Sequence, residues 1–137
     1  MGWSVFPLWP KSKRPHGYLC PQGHNEASSF APDALYWWSR VPDSNIGLSC
    51  RQSGLLVIDV DPRNGGDDTF WELERKLGGL PLTLAQETPG GGYHYFFRHP
   101  EGVRFKKELG PGVDLKSDGF VLLPPSRTQQ GQYRWLV

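Results

Sequence analysis

The sequence predicts one α+β domain in which a few helices flank a mixed or antiparallel sheet. Helix-like segments come early in the chain and strand-like segments fill its second half, an order typical of α+β proteins. A continuous apolar run over residues 55–60, bounded by Gly54 and Pro62, predicts a buried central strand. Six Trp, five Tyr and seven Phe exclude a disordered chain, and 17 Gly with 13 Pro predict many turns. We expect one compact domain over residues 1–137.

Composition narrows the class of protein. The formal net charge is +1, so nucleic-acid contacts would come from local basic patches rather than from an overall positive field. Two cysteines are too few for a disulfide framework and fit a reducing compartment. No apolar run approaches the roughly 20 residues that span a bilayer, and no signal-peptide core is present. We therefore expect a cytoplasmic protein without a membrane partner.

The first half of the chain is expected to mix strands with one helix. Residues 3–8 are rich in strand formers, and Pro7 favours an edge position for that strand. Pro32 suits the first turn of a helix that ends near Arg40. A short strand over residues 45–49 precedes the central one. The apolar stripe of the helix consists of Ala34, Leu35, Trp38 and Val41, broadened by Trp37.

A second helix is predicted over residues 68–77. Acidic residues open it, Glu72 lies four residues before Lys76, and Gly78 can end it. Its apolar face carries Phe70, Leu73 and Leu77. Further strands, separated by Gly, Pro and Asp turns, are expected over residues 82–87, 93–98, 113–116, 120–123 and 132–136.

Two aspartates stand at the end of the predicted central strand. Residues two apart on a strand point to the same face, so Asp59 and Asp61 would leave the sheet together. Two carboxylates held that close repel each other unless a cation lies between them, and magnesium or manganese prefers such oxygens. The alternative is a strand that runs into a solvated Asp-Pro turn.

A glycine-rich segment, Thr88-Pro-Gly-Gly-Gly-Tyr-His-Tyr-Phe, precedes another predicted strand. Successive glycines let a phosphate approach the backbone N–H groups closely. His94 would share a face with Phe96 and could donate to a phosphate beside that turn. A tight hairpin turn with a surface histidine explains the same pattern.

The third segment, residues 112–126, combines an acid with a cation. On a strand, Asp114 and Lys116 share one face while Val113 and Leu115 point to the core. An aspartate that joins Asp59 and Asp61 beside a cation is what a metal–triphosphate site needs. A charged hairpin is the alternative.

In this order, the segments resemble the bifunctional primase–polymerase domain of the archaeo-eukaryotic primase superfamily. The resemblance covers nearly the whole chain, and its specificity comes from six matches in the right order. They are Trp3 to Leu8 with Lys13-Arg14-Pro15, Glu26-Ala27-Ser28, Trp37-Trp38, Asn45-Ile46-Gly47 with Leu56 to Pro62, Thr88 to Phe96, and Gly112-Val113-Asp114 through Pro124-Pro125-Ser126.

The resemblance implies metal-dependent nucleotidyl transfer on an archaeo-eukaryotic primase-like catalytic core. Partners would be NTP or dNTP, a single-stranded DNA template, and a replicative helicase domain or protein. Asp59, Asp61 and Asp114 would bind Mg²⁺ or Mn²⁺, and His94 would contact the nucleotide's phosphates. Further nucleotide-binding positions would be Gly91, Gly92, Lys116, where the family often has arginine, and Ser126. Candidate template contacts are Lys11, Lys13, Arg14, Arg104, Lys106 and Lys107.

The chain also departs from the family's usual pattern. It begins at Met1, where the family usually has a further helix, so we expect either a minimal catalytic core or a trimmed fragment, without that helix and without a helicase domain. His16, Cys20, His24 and Cys50 have the side chains of zinc ligands, but their spacing is not that of a standard knuckle. We therefore do not expect zinc.

Two other functions fit parts of the sequence. A non-catalytic module on the same scaffold would bind nucleic acid without extending it. A metal-dependent glycosyltransferase that binds a nucleotide sugar would also use an Asp-x-Asp strand end, although 137 residues leave little room for an acceptor site.

Overall fold

Two antiparallel sheets packed face to face form the centre of the computed structural model, which describes residues 2–136. The helices are α1 (Ala31–Arg40) and α2 (Gly66–Leu77), and short 3₁₀ turns lie at Gly23–Glu26 and Pro62–Asn64. The strands are β1 (Val5–Leu8), β2 (Asn45–Ser49), β3 (Leu55–Val60), β4 (Ala85–Glu87), β5 (Tyr93–Arg98), β6 (Glu108–Gly110), β7 (Val113–Lys116), β8 (Phe120–Leu123), β9 (Arg127–Thr128), β10 (Gly131–Gln132) and β11 (Arg134–Trp135).

The larger sheet has six strands in the order β11-β4-β5-β3-β7-β6, and the smaller sheet has the order β1-β2-β8. All strand pairs among residues 2–136 are antiparallel. The predicted α+β class is confirmed. Of the two expected sheet types, the structure has the antiparallel one.

Three apolar clusters hold these layers together. The cluster between the two sheets comprises Leu48, Cys50, Leu55, Val57, Phe96, Val121 and Leu123. A second cluster, where α1 covers the small sheet, comprises Phe6, Leu8, Cys20, Trp37, Leu122 and Tyr133. The third, under Phe70 of α2, comprises Leu56, Ile58, Val60, Val113 and Leu115. Both faces of β3 are therefore covered, which explains why its sequence is continuously apolar rather than alternating.

The predicted strand positions are largely confirmed. The strands expected over residues 45–49, 55–60, 93–98, 113–116 and 120–123 have those bounds in the structure. The edge position of β1 is also confirmed, with Pro7 opposite Ile46. Residues 82–87 yield only Ala85–Glu87, residues 132–136 contribute to two short strands, and β6 and β9 were not predicted.

The helices confirm the predicted positions but correct the predicted buried faces. Leu35 of α1 is 72% exposed and Leu77 of α2 is 78% exposed, whereas Trp37 is buried. Neither leucine reaches a sheet, because a short helix packed on a twisted sheet buries only a narrow stripe. Glu72 pairs with Arg75 rather than with Lys76. Among residues 2–136, neither helix is long and apolar enough to cross a bilayer.

Gly47 of β2 leaves room for the ring of Phe6 on the neighbouring strand β1. The two residues are opposite each other in the strand register, and a Cβ on Gly47 would lie 2.6 Å from two ring carbons of Phe6. A methyl group on residue 47 would therefore displace the fully buried ring of Phe6 from the residues it packs against.

We predict that Gly47→Ala lowers the free energy of unfolding by about 1–3 kcal/mol, the usual range for overpacking. Urea denaturation would measure it. Gly17→Ala is the matched control, since nothing lies within 4 Å of a Cβ there. An equal effect of both substitutions would contradict this explanation.

The two cysteines lie in different apolar clusters, Cys20 under α1 and Cys50 between the sheets. Burial, with a smaller contribution from Glu26, raises the pKa of Cys20 to about 12. Burial raises the pKa of Cys50 to about 11, with Lys116 opposing and Asp118 adding to the effect. His16, another of the residues with zinc-ligand chemistry, stacks on Trp9 with ring centroids 3.8 Å apart.

Both thiols should resist alkylation by iodoacetamide at pH 8 in the folded protein and react once guanidinium unfolds it.

Unfolded thiols ionise near pH 9.0 while the folded ones keep their protons until about pH 11 to 12. Stability is therefore lost as the pH rises above 9.0, and Cys50→Ala should reduce that loss. Mass spectrometry of the labelled protein tests the first expectation, and denaturation at several pH values tests the second. Rapid labelling of either native thiol would contradict the burial argument.

Candidate functional site

Five polar side chains form a row across the six-stranded sheet. The register places Gln86 of β4 opposite His94 of β5, His94 opposite Asp59 of β3, Asp59 opposite Asp114 of β7, and Asp114 opposite Glu108 of β6. Directly opposed residues share a face of the sheet, with Cβ atoms about 4.5–5.5 Å apart. The row faces the small sheet, because Asp59 shares its face with Leu55 and Val57 of the inter-sheet cluster.

The row opens into a cleft of about 810 Å³ at the polar end of the interface between the sheets. This volume is within the range of small-ligand sites, about 300–1,000 Å³. One wall carries Asp59, His94, Asp114, Lys116 and Glu108, and the remainder includes Lys13, His24, Lys107, Tyr133 and residues 117–122. Negative, positive and aromatic side chains therefore meet in one open space.

Asp59 is the most heavily contacted acid of the row. His94 Nε2 lies 3.3 Å from Asp59 Oδ1, and Lys116 Nζ lies 3.9 Å from Asp59 Oδ2. Burial acts to raise the pKa of Asp59, but the hydrogen bond and charge of His94, with the charges of Lys116 and Lys13, outweigh it and hold the pKa below its usual value. The ionised carboxylate is thus the form that the site stabilises.

Asp61 has a different environment from Asp59. Its side chain accepts hydrogen bonds from Arg63 N at 3.0 Å, Arg63 Nε at 3.3 Å and Asn64 Nδ2 at 2.8 Å. Pro62 begins a 3₁₀ turn directly after β3, and Asp61 caps that turn. The structure therefore brings Asp59 and Asp114 to the cleft wall but ties Asp61 to the turn beside it.

The carboxylates suit a hard divalent cation by their chemistry. Asp59 and Asp114 are neighbours on adjacent strands and both face the cleft. Carboxylate oxygens are the ligands that Mg²⁺ and Mn²⁺ prefer. Within residues 2–136, no three His, Cys, Asp or Glu side chains are grouped closely enough to form a metal site by themselves. A cation held by this pair would take its remaining ligands from substrate and water, as Mg²⁺ usually does.

The glycine turn before β5 packs against the end of the central strand. A Cβ on Gly92 would lie 2.3 Å from the Val60 carbonyl oxygen, so only glycine fits there. The Gly91 N–H donates to the Thr88 carbonyl at 3.0 Å, and the Gly92 N–H donates to Thr88 Oγ1 at 3.1 Å. Both amides expected to contact phosphate thus make hydrogen bonds within the turn.

The basic residues predicted to contact nucleotide or template divide into two groups, and Ser126 is separate from both. Lys13, Lys107 and Lys116 line the cleft, whereas Lys11, Arg14, Arg104 and Lys106 are exposed and lie outside its lining. Ser126 is buried, and its hydroxyl accepts a hydrogen bond from the Ile46 N–H at 2.7 Å. The structure thus uses that hydroxyl to hold the chain after β8 against β2.

The sequence analysis did not identify Gln86, Glu108 or Tyr133 as site residues, and it considered His24 only as a zinc ligand. Gln86 and Glu108 join the row only through strand register, and β6 is a three-residue strand without a pattern of its own. Tyr133 lines the cleft, and burial together with the charge of Asp59 raises its pKa to about 12. The sequence signal that could have identified Gln86 as a site residue is its polar side chain at an inward-facing position of a short strand.

Comparison with known proteins assigns a family to this arrangement. No curated protein matches the chain. A family model described as "Bifunctional DNA primase/polymerase, N-terminal" matches residues 1–137. The match spans the whole sequence, including every strand of the polar row. The chain therefore belongs to the bifunctional DNA primase/polymerase family, whose N-terminal domain it matches.

Proposed function

We propose that this domain catalyses metal-dependent nucleotidyl transfer, adding nucleotides to a 3′-hydroxyl on a single-stranded DNA template in phage- or plasmid-type replication. The supporting observation is the alignment of His94, Asp59 and Asp114 on three adjacent strands that face one cleft. Family membership gives the class of reaction, primase and polymerase chemistry. The cleft provides the residues that could carry it.

The basic side chains of the cleft would bind the triphosphate. Lys13, Lys107 and Lys116 lie along its lining, and Lys116 is also within 4 Å of Asp59. A triphosphate carries several negative charges, so cations in a partly enclosed site attract it more strongly than they would in open water. His94 would donate from Nε2, the ring nitrogen directed at Asp59, to a phosphate oxygen.

Asp59 and Asp114 would hold Mg²⁺ or Mn²⁺ at the part of the cleft wall that they share. Bound there, the cation would supply neutralisation of charge on the reacting phosphate and activation of the attacking hydroxyl. The low pKa of Asp59 keeps this carboxylate ionised and able to act as a ligand. Asp61 could join only by giving up hydrogen bonds to Arg63 and Asn64.

A single-stranded template would reach the site from its basic rim. Lys11 and Arg14 lie in the same exposed loop as the cleft residue Lys13, and Arg104 and Lys106 flank the cleft residues Phe105 and Lys107. These side chains would contact backbone phosphates, which carry no sequence information. Template binding should therefore depend strongly on salt.

We predict that Asp59→Asn and Asp114→Asn each reduce primer extension by at least about 100-fold, since each removes a carboxylate worth several kcal/mol at the reacting phosphate. The assay uses a labelled primer on single-stranded DNA with Mg²⁺ or Mn²⁺, and EDTA should abolish extension. Asp43→Asn is the control, because Asp43 is exposed and lies outside the cleft lining. Equal incorporation by wild type and Asp59→Asn would refute the proposal. Template binding without extension by the wild type would identify a non-catalytic module instead.

Lys116 provides a second test, directed at phosphate binding. Lys116→Met should raise the KM for the incoming nucleotide about 10- to 100-fold, the equivalent of one charge-assisted hydrogen bond. Lys116→Arg keeps the charge and should retain most of the affinity. Lys76→Met removes an exposed charge on α2 and serves as the control. A change in kcat alone would argue against a role in nucleotide binding.

A further inference from the structure

Gln86 is the most buried polar residue of the row and the one farthest from the open cleft. Its relative exposure is 0%, compared with 6% for His94. The side-chain nitrogen makes two hydrogen bonds, to the Leu122 carbonyl at 2.7 Å and to His94 Nδ1 at 2.9 Å. Leu122 lies on β8, one of the two edge strands of the small sheet, so Gln86 connects the two sheets directly behind the histidine.

The Leu122 carbonyl fixes the orientation of the Gln86 amide. A carbonyl oxygen only accepts hydrogen bonds, so the amide atom facing it at 2.7 Å has to be the NH₂ group. The same nitrogen faces His94 Nδ1 and has its second proton left for it. His94 Nδ1 is therefore an acceptor that carries no proton of its own.

In the neutral imidazole of His94, the single N–H proton is then on Nε2. The hydrogen bond made by one ring nitrogen decides which tautomer a histidine adopts. His94 Nε2 lies 3.3 Å from Asp59 Oδ1, on the cleft side of the ring. Gln86 thus donates to both the Leu122 carbonyl and His94 Nδ1, and His94 in turn donates from Nε2 to the Asp59 carboxylate.

We propose that Gln86 is a positioning residue that holds His94 in the Nε2–H tautomer, so that a hydrogen-bond donor points into the cleft. The inference rests on the proposed function only for the use of that donor, which is contact with a nucleotide phosphate. A residue that merely filled this space would be apolar. An amide here leaves its own oxygen Oε1 buried without a hydrogen-bond partner among residues 2–136, a cost that an apolar side chain would not carry.

The tautomer can be measured without any activity. Nitrogen-15 NMR of the imidazole rings distinguishes a protonated from an unprotonated ring nitrogen, and the spectra are recorded on the metal-free protein over a pH series that extends to the plateau where the ring signals no longer change. We expect a proton on Nε2 of His94 in the wild type. Because the Asp59 carboxylate also accepts from Nε2, the effect of Gln86 alone is measured in an Asp59→Ala background, where the proton should stay on Nε2. Adding Gln86→Met, which keeps the length of the side chain but donates nothing, should populate both tautomers there. In Gln86→Glu, whose carboxylate accepts a hydrogen bond, Nδ1 should gain a proton.

The controls separate positioning from general damage. Leu84→Ala removes an apolar side chain that packs against the cluster between the sheets and takes no part in the hydrogen bonds of Gln86, and it should leave the tautomer of His94 unchanged. His16, His24 and His99 are internal references in every spectrum. A wild-type proton on Nδ1 would overturn the proposal even if neither Gln86 variant folded. An unchanged tautomer when Gln86→Met is added to folded Asp59→Ala would overturn it as well.

Activity provides the second readout. Groups that orient a functional histidine typically contribute about 10- to 100-fold, so kcat/KM for the nucleotide should fall by that amount in Gln86→Met and remain near wild type in Leu84→Ala. A wild type that shows the expected tautomer but no nucleotidyl transfer would refute the proposed function and leave the role of Gln86 intact. Full activity in Gln86→Met despite a changed tautomer would show that the donor is not used.

Discussion

The site depends on the register of β3 between β5 and β7. That register sets Asp59 opposite both His94 and Asp114, and it also directs Leu55 and Val57 into the cluster between the sheets. A slip of one residue would turn these apolar side chains away from the small sheet and the carboxylate away from the cleft. Burial of a Leu or Val side chain is worth about 1.5–3 kcal/mol, so the apolar half of the strand holds the polar half in place.

Exposure changes steadily along the polar row, and so does the chemistry that each position supports. Gln86 at the closed end is neutral and fully buried, His94 comes next, Asp59 is partly covered, and Asp114 and Glu108 are exposed at the open end. Charge near the buried end is costly without partners, and Asp59 accordingly has His94 and Lys116 beside it. The carboxylates that need water or a cation lie where either can reach them.

The sequence was sufficient for features that arise within one strand or helix. Alternation within each strand predicted the faces of Asp59, His94, Asp114 and Lys116, whereas their grouping as one site came from the family resemblance. Gln86 and Glu108 were missed because their roles come from pairing between strands distant in sequence. Leu35 and Leu77 were assigned to buried faces because helical spacing does not reveal how far the sheet beneath extends.

Asp61 shows how local and long-range contacts compete for the same side chain. Strand alternation assigns it to the face of Asp59, but β3 ends at Val60, and Pro62 turns the chain into a 3₁₀ segment. There Asp61 Oδ1 accepts from Arg63, and Arg63 in turn contacts Gln130 and packs under Gly90. The carboxylate therefore links the end of the central strand to the glycine turn that precedes His94. Asp61 and Arg63 are outside the lining of the cleft, so their contacts act on the turn that leads into β5 and His94 rather than on the wall beside Asp59.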